Sequence, residues 1–437
     1  EEVIRRRADS KKTSTAKFAA MIECVCADAR VRGTLNYHGA GPGRWAGRLI
    51  QPQNFPRVDH EKEGYIFEWM AELLDSDATA QDVFDLMTAV HGETGENAPL
   101  RLLSRFLRSC IVAPVGHKLV GADLSNIEGR INAWYGQERW KLKAFGDYDN
   151  GTGDDLYNIT YANSFGVDVK SVTKGQRQIG KVQELACGYQ GGVGAYLDMG
   201  KTYNLNIYEL AKIVADAADP KQWEDISKLY APAKDKYGLK QKEWTAIKIL
   251  VVNWRASHPG ITQSWWDLQD AAVDAVASPG MCVKVLDGKV SYYSDKENLW
   301  CVLPSGRMIC YAQPAIESEY MEYVDKNGDI KERLKNKVVF MGYKEGRWQK
   351  LSLYGGLQCE NIVQATARDV LVENMFAAEA CGFKIVLTVH DELLTEVPLS
   401  SKLNNAAKLQ YVMSQIPAWA DGLPLAAKAW EDVRYVK

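Results

Sequence analysis

The segment Ile385-Val386-Leu387-Thr388-Val389-His390-Asp391-Glu392 runs directly into Leu393–Val397, and few folds can accommodate it. Apolar, β-branched residues on both sides of a short polar interruption predict a tight hairpin with His390 and Asp391 at its tip. A second short apolar segment, Leu119-Val120-Gly121-Ala122-Asp123, also ends in an acid. Two acids at strand ends, remote in sequence, can meet on one sheet edge. Such a pair can bind two divalent ions about 3.5–4 Å apart, one at an attacking oxygen and one at a leaving oxygen. Hard Mg²⁺ prefers carboxylate and carbonyl oxygen, which suits Asp better than His or Cys. Taken singly, an Asp at a strand end is more often a turn former or a cap. Other segments must decide between these readings.

Residues 176–190 carry Arg177, Lys181, Leu185 and Tyr189 at intervals of four. On a helix these fall within about a third of the circumference. Two cations one turn apart suit a polyphosphate, because Arg forks onto phosphate oxygens and Lys supplies a mobile charge or proton. Tyr189 offers a flat face for stacking on a base, with room beside it at Gly188, and Gly191-Gly192 is expected to end the helix. An amphipathic helix with solvated cations would look the same.

Elsewhere the patterning alternates between helix and hairpin. Residues 13–29 read as a helix capped by Thr13 or Ser14, with Phe18, Met21, Ile22 and Val25 on one side. Val31–His38 reads as a short strand, followed by a Gly/Pro-rich loop at residues 39–44. Residues 60–110 and 155–250 are expected to be largely helical, the latter with a break at Pro220. Met281–Arg347 reads as a run of hairpins with turns at residues 286–289, 304–306 and 326–328, and residues 357–380 as a helix. No apolar run reaches the ~18–20 residues of a membrane helix.

Net charge is −3, which argues weakly against a nucleic-acid partner, but the stretch from Arg5 to Arg57 is locally basic. Nine cysteines without a CxxC pair, with Cys187 and Cys381 read as small core residues, indicate a reducing, cytoplasmic setting. Six scattered His argue against a His-based metal site. The chain opens on Glu1-Glu2-Val3, as a fragment of a longer protein would.

Together these segments resemble the family A DNA polymerases, and the wording is most similar to phage members. Asp123-Leu124-Ser125-Asn126-Ile127-Glu128-Gly129-Arg130 looks like motif A, Arg177-x3-Lys181-x7-Tyr189 like motif B, and Val389-His390-Asp391-Glu392 like motif C. Gly43-Arg44 with Gln53-Asn54-Phe55-Pro56 resembles the segment that contacts primer–template, and Gln364–Asp369 resembles the helix segment before motif C. The resemblance implies an α+β, right-hand architecture with an antiparallel-sheet palm, mostly helical fingers and a thumb that is largely absent. Residues 1–30 would be the end of the thumb. Residues 31–150 would be the first part of the palm, with a helical insertion at 58–110. Residues 151–275 would be the fingers and 276–437 the second part of the palm.

The resemblance also implies roles. Asp123 and Asp391 would bind two Mg²⁺ ions, with Mn²⁺ as a substitute and the Leu124 carbonyl as a further ligand. Arg177 and Lys181 would bind the dNTP, and Lys181 would protonate the leaving pyrophosphate. Tyr189 would lie beside the templating position, and Glu128 would block a 2′-hydroxyl. Arg44, Gln53, Asn54, Gln364, His390 and Glu392 would touch primer or template DNA, Arg44 and Gln364 through minor-groove acceptors that are nearly alike in every base pair.

Where the family usually has Phe or Tyr, this chain has Leu185, which bears on discrimination at the nucleotide 3′ position. Gly356 and Glu360 replace polar or basic residues common in the family. The expected protein is a monomeric, primer-extending enzyme that works with other replication proteins and no membrane. A single-subunit RNA polymerase shares the three-motif logic, although Glu128 and Glu392 favour DNA. A two-metal nuclease would use the same paired Asp but has no need of the Arg177/Lys181/Tyr189 helix.

Overall fold

The structure, a computed structural model, describes residues 16–56, 77–79, 81, 82, 85, 104, 106–231, 236–324 and 330–436, without side chains at 319, 321–324 and 330–333. Most of the expected 58–110 insertion, the caps Thr13 and Ser14, the cations before Ala16, and the 326–328 turn lie outside the described residues.

In chain order, α1 (Ala16–Cys24), β1 (Leu35–Asn36), β2 (Ala46–Gly47) and β3 (His117–Leu124) come first. The helical stretch follows as α2 (Ile127–Tyr135), α3 (Arg139–Asp149), α4 (Leu156–Phe165), α5 (Lys174–Cys187), α6 (Val193–Thr202), α7 (Ile207–Ala217), α8 (Pro220–Ser227), α9 (Gln241–Ser257) and α10 (Pro259–Ala277). Strands β4 (Val283–Val285), β5 (Val290–Ser294), β6 (Asn298–Val302), β7 (Met308–Val324), β8 (Ile330–Lys344) and β9 (Arg347–Leu353) come next. The chain then runs through α11 (Gly355–Ala380), β10 (Lys384–Val389), β11 (Glu392–Pro398), α12 (Ala406–Met413) and β12 (Ala427–Asp432). Pro220, expected to break a helix, instead opens α8 behind the Asp219 cap, where its missing N–H costs nothing.

Two compact units emerge. The first comprises Glu1–Ser125, Val370–Gln415 and Ala426–Lys437; the second comprises Asn126–Asp369 and Ile416–Leu425.

The first unit is built on a four-stranded antiparallel sheet in the order β10-β11-β3-β12. Its central strands, β3 and β11, are buried along most of their length, including the polar Glu392, Thr395 and Glu396 of β11. Helix α12 packs against β3 and β12. Phe18 and Met21 of α1 pack with Ile50, Phe55 and Leu107, whereas Ile22 and Val25 are exposed.

The second unit holds α2–α10 and a six-stranded sheet in sequential order β4 to β9, against which α10 packs. The expected hairpins are therefore one up-and-down sheet that continues to Leu353. Gly180 of α5 lets that helix approach α4, because a Cβ there would lie 2.1 Å from the Tyr157 carbonyl oxygen. All nine cysteines are free; Cys187 is buried as expected, but Cys381 is exposed, because it lies just past the end of α11. Among the described residues no helix is long and apolar enough to cross a membrane.

Candidate active site

In the first unit, strand pairing brings the two acids together. Asp123 stands opposite Glu392 in the β3–β11 register, and the Leu124 N–H donates to the Asp391 carbonyl at 3.1 Å. His390 and Asp391 form the two-residue tip between β10 and β11, as the sequence pattern predicts. His390 adopts a left-handed φ of 54°, and its Nε2 donates to the Gln53 carbonyl at 3.0 Å. Arg44 Nη2 lies 3.5 Å from Asp391 Oδ1, with both side chains about one-fifth exposed. Arg44, His390 and the Gln53 backbone are thereby gathered at the hairpin tip. Asn54 donates to Gln51 Oε1 at 3.1 Å. Gln53 Oε1 is a buried acceptor without a hydrogen-bond partner.

Glu392 behaves differently from its neighbours. It is only 3% exposed, and its carboxylate accepts from Trp430 Nε1 at 2.9 Å and from the Tyr435 hydroxyl. A role in touching primer or template is hard to reconcile with that burial. Burial and the neighbouring Glu392 charge push the Tyr435 hydroxyl up, so it stays a donor.

Among the described residues no three or more His, Cys, Asp or Glu side chains converge as a cage for a metal ion. The donor set at the strand ends, two Asp carboxylates with a backbone carbonyl nearby, is hard oxygen. It fits Mg²⁺, which typically takes one or two carboxylates and draws its other ligands from water and phosphates.

In the second unit, α5 starts from a capping box between Thr173 and Gln176. Arg177 and Lys181 are half-buried and Leu185 is exposed along one side of the helix. Arg177 Nη2 pairs with Asp155 Oδ2 at 2.9 Å, and its guanidinium lies 5.2 Å from the Tyr157 ring centroid. Lys181 Nζ lies 4.2 Å from the Tyr203 ring centroid.

The helix ends at Cys187, earlier than Gly191-Gly192. The Gly188 carbonyl just past its end accepts from Asn132 Nδ2 at 3.0 Å and Trp265 Nε1 at 3.2 Å, and Gln190 takes a left-handed φ of 65°. Tyr189 therefore sits in the following turn and not on the helical stripe. Its hydroxyl donates to Glu128 Oε2 at 2.9 Å, and burial with that carboxylate raises its pKa well above the ordinary value. Gly356 is explained by the same turn: a Cβ there would lie 2.4 Å from the Tyr189 carbonyl oxygen. Gln364 Nε2 donates to Glu360 Oε1 at 3.2 Å, one turn earlier on α11.

Glu184, two turns after Arg177 on α5, has a side chain only 7% exposed. It accepts from Lys141, from Thr160 Oγ1 at 2.9 Å and from Trp254 Nε1 at 2.9 Å, and His258 Nε2 lies 3.1 Å away. Burial alone would push this carboxyl up, but Lys141 and His258 beside it hold it below the ordinary range.

The sequence-predicted residues thus fall into two sets. Asp123, Leu124, Asp391, His390, Glu392, Arg44, Gln53 and Asn54 belong to the first unit, and Arg177, Lys181, Leu185, Tyr189, Glu128 and Gln364 to the second. Sequence reasoning missed Trp430, Tyr435 and Arg108 around Glu392, and Glu184 on α5. Trp430 and Tyr435 lie about forty residues after Glu392 and Arg108 nearly three hundred before it, and none matches a local pattern. Glu184 reads as an ordinary helix-surface acid until its neighbours are known.

No family model matches the chain. It is similar to the DNA polymerase of Bacillus phage SP02, at 34% identity over 100% of this chain and 57% of that protein. A shorter stretch is 32% identical to DNA polymerase I of Pseudomonas aeruginosa, over 27% of this chain and 11% of the relative. The chain therefore spans little more than half the length of the phage protein. Its fold is similar to a solved structure of the POL domain of Pol1 from M. smegmatis in complex with DNA primer-template and dNTP. That likeness has a TM-score of 0.51 at 16% identity and covers 97% of this chain and 51% of the other.

Proposed function

Because this chain belongs to the family A DNA polymerases, we propose that it extends a primer 3′ end with dNTPs on a DNA template. The primer 3′ oxygen forms a bond to the α-phosphorus, the bond between the α-phosphorus and its bridging oxygen breaks, and pyrophosphate leaves. The observation that carries this reading is the strand-end pairing of Asp123 with the Asp391 hairpin in a chain that matches a phage DNA polymerase from end to end.

In this reading the four-stranded sheet is the palm and the α4–α9 helices are the fingers of a right hand. Asp123 and Asp391 would hold two Mg²⁺ ions. In an extended residue N–H and C=O point to the same edge, so the Leu124 carbonyl is available on the Asp391 side as a further ligand. When bound, the ions supply activation of the attacking oxygen and charge compensation at the leaving oxygen.

Arg177 and Lys181 bind the triphosphate, exchanging the present contacts to Asp155 and Tyr203 for phosphate oxygens. Lys181 gives a proton to the departing pyrophosphate. Glu128, held by the Tyr189 hydroxyl, excludes a 2′-hydroxyl, and Leu185 lies where the sugar passes. Arg44, Gln53, Asn54, His390 and Gln364 contact primer or template.

Primer extension with Mg²⁺ on a primed template tests the reading. The expected result is dNTP addition at the 3′ end. Preference for rNTPs without a primer would indicate an RNA polymerase, and degradation without addition would indicate a nuclease; either overturns the proposal.

A further inference from the structure

The Tyr435 hydroxyl joins parts of the first unit that are remote in sequence. It donates to Glu392 and accepts from Arg108 Nη1 at 3.0 Å. Arg108 also donates from Nε to the Pro56 carbonyl and from Nη2 to the Phe55 carbonyl, each at 3.1 Å. Phe55 and Pro56 directly follow Gln53 and Asn54. The other Glu392 oxygen is held by Trp430, whose ring stacks on Tyr435 with centroids 5.5 Å apart and planes at 14°. Gly121 makes the space for this indole, since a Cβ there would lie 2.4 Å from it. Arg108, Glu392 and Tyr435 are all buried, so none can trade these partners for water without local opening.

Glu392 stands directly opposite Asp123, and the bond from Leu124 N–H to the Asp391 carbonyl makes that a non-hydrogen-bonded pair. In such a pair the Cα atoms lie about 4.5 Å apart and the side chains share one face of the sheet. A carboxylate so close to Asp123 must be oriented, because two like charges at that range repel.

We propose that Tyr435, with Trp430 and Arg108, is a positioning residue that fixes Glu392 as an oriented negative charge beside Asp123, so that the cation affinity of the Asp123/Asp391 site depends on a hydroxyl near the last residue of the chain. The proposal rests on the polymerase reading for its functional meaning. Its physical content is narrower: the coupling runs through one carboxylate.

Tyr435→Phe keeps the ring stack and removes only the hydroxyl. Mn²⁺ binding to the full chain, followed by electron paramagnetic resonance, should weaken roughly tenfold, the scale on which an outer partner tunes a metal site. In single-nucleotide insertion, half-saturating Mg²⁺ should rise by a similar factor while KM for dNTP stays within about twofold. The double variant Tyr435→Phe/Glu392→Gln should bind Mn²⁺ no more weakly than Glu392→Gln alone, because residues acting through one group are not additive. Should Tyr435→Phe fail to fold, Trp430→Phe removes the donor to the other Glu392 oxygen and carries the same expectation. Unchanged Mn²⁺ affinity in the single variant, or losses that multiply in the double variant, overturn the proposal. If the wild-type chain does not extend primers, the polymerase reading fails, and the Mn²⁺ titration still decides the coupling.

Discussion

Glu184 gives the sharpest test of how α5 is held. Its carboxylate is the common acceptor for Lys141, Thr160 and Trp254, with His258 alongside, and both Glu184 and Lys141 side chains are almost fully buried, at 7% and 2% exposure. Glu184→Gln keeps the volume and leaves an acceptor for Thr160 or Trp254. It strands the Lys141 ammonium without a counter-charge. Removing one partner of a buried ion pair costs about 3–5 kcal/mol, and that is the expected loss in urea unfolding at pH 7.

The pH dependence has a definite sign. The folded carboxyl is held below its ordinary range, so its contribution is present above the unfolded pKa of about 4.3 and is lost as pH falls toward the folded value. The stability gap between wild type and variant should therefore be full at pH 6–7 and narrow on acidification below about pH 4. Because α5 carries Arg177 and Lys181, KM for dNTP should rise with the loss. A gap under about 1 kcal/mol at pH 7, or one that does not narrow in acid, would refute the reasoning, since it would mean the buried charges are not each other's main partners.

Further outcomes follow from the proposed site. Asp123→Ala or Asp391→Ala should lower primer extension by at least about 10³-fold with circular dichroism unchanged; substantial residual Mg²⁺-dependent synthesis would contradict their role. Glu128→Ala removes both the proposed block to a 2′-hydroxyl and the acceptor for Tyr189, so the dNTP/rNTP selectivity ratio should fall by about tenfold or more. An unaltered ratio would remove Glu128 from the sugar site. Leu185→Phe adds an aromatic face at an exposed position of α5 and should change the dideoxynucleotide/deoxynucleotide ratio, read by chain-termination frequency. No change would mean that this position does not face the sugar.

Much of the local structure was legible because it depends on near neighbours. The apolar runs flanking His390-Asp391 have only one economical arrangement, a hairpin, and β10 and β11 form it. The four-residue spacing of Arg177, Lys181 and Leu185 likewise depends on residues within a turn or two, and α5 has that helix, although its capping box at Thr173 came only with the structure. Tyr189 was misread as the next step of the same stripe. The chain turns there, at Gln190 in a left-handed conformation and with Asn132 and Trp265 donating to the Gly188 carbonyl, and helical periodicity encodes none of these.

The sequence by itself determined the two acids, the strands that end in them and the cationic helix, since hydrophobic periodicity and turn chemistry act over a few residues. Only the tertiary structure decided what surrounds Glu392. Its identity in the motif suggested contact with DNA, yet Trp430 and Tyr435 hold its buried carboxylate and Arg108 donates to the Tyr435 hydroxyl. The same holds for Glu184, a surface acid by pattern and the centre of a buried ionic cluster in the fold. The physical reason is common to both. A carboxylate's role depends on whether water or protein donors surround it, and those donors lie on segments that only folding brings together.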